Sequence, residues 1–123
     1  MILRGSELLV VRVRTDEGEF LVLPGGGQEH GETLTDTVQR EVFEELGLII
    51  SAKEVLHTAL YHVEKYGKLK LHYVRSTTTC WTPFLTEHSA IRLIRLEELE
   101  DFQFTPGDMQ FVNWLLQRSK WHT

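Results

Sequence analysis

Gly26 to Leu48 reads GGQEHGETLTDTVQREVFEELGL, and the chain enters it through Leu23-Pro24-Gly25. Its second half predicts one helix. Thr33 is placed to cap the first turn, with Asp36 three residues on as a weaker form of the Ser/Thr-x-x-Glu capping box. Gly47 ends the helix, as a glycine with positive φ commonly does. At about 100° per residue, Leu34, Val38, Val42 and Leu46 form one apolar stripe. Glu41 and Glu45 project within that stripe and Glu44 lies at its edge, whereas acids that merely solubilise a helix face away from it.

Such a placement needs compensation. Carboxylates about 5 Å apart repel by roughly 3 kcal/mol at an effective dielectric of about 20, and more beside an apolar face. Arg40 can offset one acid, most simply Glu44 at i,i+4. The other two call for cations. Hard divalent ions such as Mg²⁺ or Mn²⁺ favour carboxylate oxygens and keep water or substrate phosphate as further ligands. The glycines Gly25, Gly26 and Gly27 let backbone amides and carbonyls approach a metal or a phosphate.

Outward from this stretch the chain alternates strands and turns. Before it, Ile2 to Val13 reads as a strand region with a turn at Arg4-Gly5-Ser6-Glu7. A second turn, Thr15-Asp16-Glu17-Gly18, leads into the short strand Phe20–Leu23. After it, Val55–Val63 and Leu69–Cys80 flank the turn Glu64-Lys65-Tyr66-Gly67-Lys68, and across such a hairpin His62 and His72 can face each other and line the pocket. A loop over Trp81–Glu87, a strand Ala90–Ile94, a helical turn Leu96–Leu99 and a last helix from about Thr105-Pro106 to Ser119 complete one α+β unit. No repeat or linker interrupts it.

The 123 residues suit a single domain, 1–123. With 41% hydrophobic and 25% charged residues the composition is that of a globular protein. A net charge of −5 argues against nucleic-acid or membrane partners, yet leaves room for an anionic small substrate once cations are bound. The single cysteine, Cys80, rules out an intramolecular disulfide, and no apolar run is long enough to span a bilayer, so a cytoplasmic setting is expected. The six histidines lack recognised zinc-ligand spacing.

Gly26, five residues, Glu32, seven residues, then Arg40-Glu41-Val42-Phe43-Glu44-Glu45-Leu46-Gly47-Leu48 resembles the Nudix box at every defined position. The resemblance implies an α/β/α sandwich around a central mixed sheet. It also implies Mg²⁺- or Mn²⁺-dependent hydrolysis of a nucleoside diphosphate linked to another moiety. Carried over by position, Glu41, Glu44 and Glu45 resemble the metal-binding and catalytic acids, and Arg40 the arginine that orients them. Gly25 resembles the residue whose carbonyl binds metal in MutT-type members, and Glu32 a supporting acid. Glu87 stands where such enzymes place another metal-binding or catalytic acid, against the plainer reading of a solvated loop residue. Thr105-Pro106-Gly107-Asp108 resembles the element that contacts the base. Asp108 then accepts hydrogen bonds from a base edge, unless Thr105, Pro106 and Asp108 simply begin a helix. Tyr61, Tyr73, Trp81 and Phe84 can stack on a base or fill the core.

The sequence departs from the family in having only Met1 to Glu7 before its Leu8–Val13 strand. A curtailed first strand is expected to leave a sheet edge that invites a homodimer. The leading expectation is pyrophosphohydrolysis of a nucleoside triphosphate or modified nucleotide to a monophosphate and pyrophosphate. The alternatives are an ADP-ribose or nucleotide-sugar pyrophosphatase, disfavoured by the lack of proline in Leu60–Glu64, and a non-catalytic nucleotide-binding module, disfavoured by the intact box.

Overall fold

In a computed structural model, which describes residues 1–65, 67–79 and 91–119, the aliphatic run after Ser6 forms the spine of a mixed sheet. Strand β1 is Ile2–Arg4, β2 Glu7–Thr15, β3 Gly18–Val22, β4 Ser51–Val63, β5 Gly67–Thr77 and β6 Ile91–Arg95. Helix α1 is Leu34–Leu46, α2 is Pro106–Ser119, and a 3-10 helix covers Leu96–Asp101. The strand order is β3-β2-β1-β5-β4, with β6 also paired to β2. Val11 pairs with both Val22 and Ile91, so β3 and β6 flank β2 on opposite edges. Every pairing is antiparallel except β1 with β5.

Alternation along β2 divides the core between two faces, as a period of two requires. Leu8 and Val10 enter a cluster with Tyr73, Phe104, Phe111 and Val112, beneath α2. Leu9 points the other way and packs with Ile2, Val42, Leu48 and Ile50, beneath α1. A helix on each face of one mixed sheet is the expected sandwich. Within the α2 layer the rings of Tyr73 and Phe111 stack with centroids 4.1 Å apart, and His57 stacks on Trp114 at 4.4 Å.

The ends of α1 match their sequence signals. The Thr33 hydroxyl accepts the Asp36 N–H at 3.1 Å. Gly47 closes the helix at φ 67°, its N–H donating to the Phe43 carbonyl at 2.8 Å. That left-handed conformation strains any residue with a Cβ.

Two expectations are corrected. β1 is short but is no edge: it lies between β2 and β5, pairing Leu3 with Leu8 and with Thr77. The β4–β5 hairpin is also tighter than the sequence suggests, because β5 begins at Gly67 rather than Leu69. Its register therefore sets Thr58 opposite His72 and His62 opposite Lys68, so the two histidines do not face each other. β4 starts at Ser51 and absorbs two irregularities, between Ala52 and Val55 and between Val55 and His57. Cys80, Trp81, Phe84, Glu87 and Ala90 lie outside the described residues.

Phe111 is fully buried at the centre of the α2 layer. Its replacement by alanine is expected to lower the unfolding free energy by about 3–5 kcal/mol, measured by urea titration, because a cavity opens there.

Candidate active site

The glycine loop and α1 meet through a series of short contacts. Gly27 gives its carbonyl to Arg40 Nη2 at 2.9 Å. Gly26 abuts Glu41 so closely that a Cβ built at Gly26 would overlap the Glu41 carboxyl group. Gly25 lies near enough to Glu45 for its N–H to favour the charged carboxylate. The loop is thus fitted against the same helix face that carries the acids. A side chain at Gly26 would require the Glu41 carboxyl group to move.

Arg40 is the hub of that face. Its Nε donates to Glu32 Oε2 at 2.6 Å and its Nη2 to Glu32 Oε1 at 2.9 Å, a bidentate fork. Nη1 reaches Glu41 Oε1 at 2.8 Å and Glu44 Oε2 at 3.2 Å. Glu32, expected only to support, is the main anchor, and Glu44 is the longer contact. The Glu32 carboxylate also accepts from the Glu29 N–H at 2.8 Å and the Thr37 hydroxyl at 3.1 Å. These donors, Arg40 first, hold its pKa down to about 2. Glu32 and Glu41 in turn keep the guanidinium more firmly protonated than usual.

The acids are not equivalent. Glu41 is partly shielded, with 23% of its side chain exposed, and Glu44 is open to solvent at 59%. Glu45 also lies at the surface, so the stripe that carries these positions buries Val42 but not the acids. The Glu45 carboxyl is nevertheless pushed up, first by desolvation against the loop and also by the negative charge of Glu41, while the Gly25 N–H pulls it down. Glu41 and Glu45 therefore form a repelling pair beside a glycine backbone. Their oxygens suit a hard divalent cation in donor type and charge. Among the described residues no three Asp, Glu, His or Cys side chains converge to hold an ion unaided.

A cleft of about 680 Å³ opens beside the loop, lined by Gly25, Gly26 and Gly27, by Thr37 and Val38 of α1, and by residues of β5 and α2 that include Lys70, His72 and Asp108. It runs beside β5, which β1 covers only at Ser76 and Thr77. The His72 Nδ1 sits 2.8 Å from the Thr58 hydroxyl. Lys70 and His72 carry no sequence motif; their shared signal is the i,i+2 spacing that puts both on one face of a strand.

Asp108 has both oxygens engaged by the protein. Oδ2 accepts the Leu23 N–H at 2.8 Å and Oδ1 accepts the Tyr73 hydroxyl at 2.9 Å. Burial raises its pKa against the pull of these two donors. Tyr73 is buried and packs in the α2 core, and it also lines the cleft.

A family model described as NUDIX domain matches residues 1–115. The Mycobacterium tuberculosis (strain ATCC 25618 / H37Rv) protein named "Putative 8-oxo-dGTP diphosphatase 2" is 32% identical over 114 residues, spanning 90% of this chain and 80% of that protein. Among solved structures, the Escherichia coli ORF135 protein superposes with a TM-score of 0.76 at 22% identity, over 98% of this chain and 87% of that one. MutT from methicillin-resistant Staphylococcus aureus 252 gives 0.68 at 24%, over 95% and 91%. The Caenorhabditis elegans Ap4A hydrolase gives 0.69 at 17%, over 99% and 93%. These three likenesses establish the fold.

The depressed Glu32 pKa fixes the sign of a pH effect. A carboxylate with a folded-state value of about 2, against an ordinary 4.5, contributes fully above pH 4.5 and loses its contribution as pH falls through about 2. The Glu32 side-chain carboxyl ¹³C shift is therefore expected to stay that of a carboxylate at pH 3.5, and its titration to move to higher pH once Arg40 is replaced by alanine, with the Glu29 N–H and Thr37 hydroxyl still holding it below the ordinary value.

Proposed function

The chain belongs to the Nudix hydrolases and is a pyrophosphohydrolase of that family, and from that premise we propose that it cleaves a nucleoside triphosphate or modified nucleotide to the nucleoside monophosphate and pyrophosphate. The observation that carries this reading is the junction at Gly26, where a backbone without a Cβ lies against Glu41 while Gly25 reaches Glu45. It supports a loop that meets the acid pair of α1 and, together with Leu34, Thr37 and Val38 of the same helix, lines a nucleotide-sized cleft. The Mycobacterium relative's name supports the triphosphate class.

Glu41 and Glu45, with Glu44 and the Gly25 carbonyl, are the groups proposed to hold Mg²⁺ or Mn²⁺. When bound, such an ion neutralises phosphate charge and polarises the bond to be broken. The protein's own part is positional. Arg40 anchors the acid helix to Glu32 and to the loop, so the carboxylates need no reorganisation as charge develops. Gly26 and Gly27 bring main-chain groups to the phosphates from the cleft side, and the Lys70 ammonium on the far wall favours an anionic ligand. In the reaction a water oxygen bonds to phosphorus, the bridging P–O bond breaks, and the leaving pyrophosphate takes the electron pair. The water's proton passes to a carboxylate, for which Glu41, Glu44, Glu45 and Glu87 are the candidates.

The test is product analysis on a panel of ordinary and oxidised nucleoside triphosphates, ADP-ribose and nucleotide sugars. Monophosphate and pyrophosphate are expected from at least one triphosphate. Chelation by EDTA is expected to remove the activity and added Mg²⁺ or Mn²⁺ to restore it. Turnover of the sugar nucleotides alone overturns the triphosphate assignment. Glu45→Gln is expected to lower kcat by at least about 100-fold with the circular dichroism spectrum unchanged, since a positioned carboxylate contributes on that order. A fully active variant rejects the role given to Glu45.

A further inference from the structure

Asp108 engages the loop from the opposite side to Arg40. Its Oδ2 takes the Leu23 N–H at 2.8 Å, joining the first turn of α2 to a residue 85 positions away in the chain. The other oxygen takes the Tyr73 hydroxyl at 2.9 Å, which fixes the carboxylate to β5. Gly107 permits this close seating: a Cβ there would come within 3.2 Å of Leu71 Cδ1. From Leu23 the path to the acids is short. Pro24 is buried and its ring fixes φ. Gly25 follows with its N–H toward Glu45, then Gly26 against Glu41, then Gly27 on Arg40.

We propose that Asp108 is a positioning residue: it latches the Leu23 end of the glycine loop to β5 and α2, and so sets where Gly25 and Gly26 hold Glu45 and Glu41. The loop has two tethers, Arg40 at Gly27 and Asp108 at Leu23. With the second removed, the segment between them hangs from one end, and the acid pair loses its backing. Burial of a carboxylate requires compensating partners, and the partners found for this one are the loop amide and the tyrosine that braces it. The part about the acids rests on reading Glu41 and Glu45 as the cation-holding pair; the latch itself does not.

Asparagine at 108 can keep the latch. Its carbonyl oxygen can take the Leu23 N–H while its amide donates to Tyr73, whose own proton turns to the Gly107 carbonyl, 3.2 Å away. Alanine cannot. The experiment compares Asp108→Asn and Asp108→Ala by amide hydrogen exchange at Leu23, by Mn²⁺ titration followed by electron paramagnetic resonance, and by kcat and KM on two triphosphates with different bases. In the alanine variant, Leu23 exchange is expected to quicken and Mn²⁺ affinity to fall. Its kcat is expected to drop about 10- to 100-fold on both substrates alike, as loss of an outer support does, with the preference between bases unchanged. The asparagine variant is expected to keep Leu23 protected and to recover most of the rate. Unchanged Leu23 protection in the alanine variant overturns the proposal. So does a changed base preference in either variant, or an asparagine variant as impaired as alanine. If the unsubstituted protein turns over neither triphosphate, the proposed reaction fails, while the exchange measurement still decides the latch.

Discussion

The fork between Arg40 and Glu32 is the constraint on which the site depends. A guanidinium cannot release its proton and presents its donors in one plane, so whatever it binds is held in fixed relative positions. Here it binds an acid from the loop, two acids from its own helix and the Gly27 carbonyl. Three negative charges gathered within one helical turn and its neighbouring loop would otherwise push the two segments apart. One cation, placed between them, turns that repulsion into alignment. It leaves Glu45 outside its reach, governed by Gly25 and by the charge of Glu41.

The sheet supplies the rest of the geometry. Because β2 sends alternate residues to two cores, α1 and α2 lie on opposite faces, and the loop leaving β3 meets both. Its glycines touch the acid helix and, with Thr37 and Val38 of that helix, line the cleft that Lys70 and His72 also line. An overall negative protein thereby has basic side chains along the cleft next to its acid helix.

What the sequence disclosed follows the range of the interactions concerned. Thr33, Asp36 and Gly47 act on groups three or four residues away, so both ends of α1 could be read directly. The acids and glycines of the box have defined spacing and are read the same way. The Arg40–Glu32 fork spans eight residues across a loop that obeys no helical period, and helix-wheel reasoning favoured Glu44 in its place. Register in the β4–β5 hairpin turned on where β5 begins, and it sets His62 opposite Lys68 rather than His72. Asp108 finds its partners 35 and 85 residues away, and no local pattern encodes such contacts.

The central position of β1 bears on how the molecule assembles. Its residues pair with β2 across a tight turn but with β5 across most of the chain, through the Ser76 N–H to the Met1 carbonyl and the Met1 nitrogen to the Val74 carbonyl. The two hairpins, β2–β3 and β4–β5, are local and can form early. Joining them means closing a loop of more than seventy residues, and that entropy is lost before the new contacts return anything. Helix α1 lies inside that loop, as does the glycine stretch. The segment carrying the acids therefore gains its full backdrop only when strands on both sides of it in the chain have been joined, not on completion of the acid helix itself.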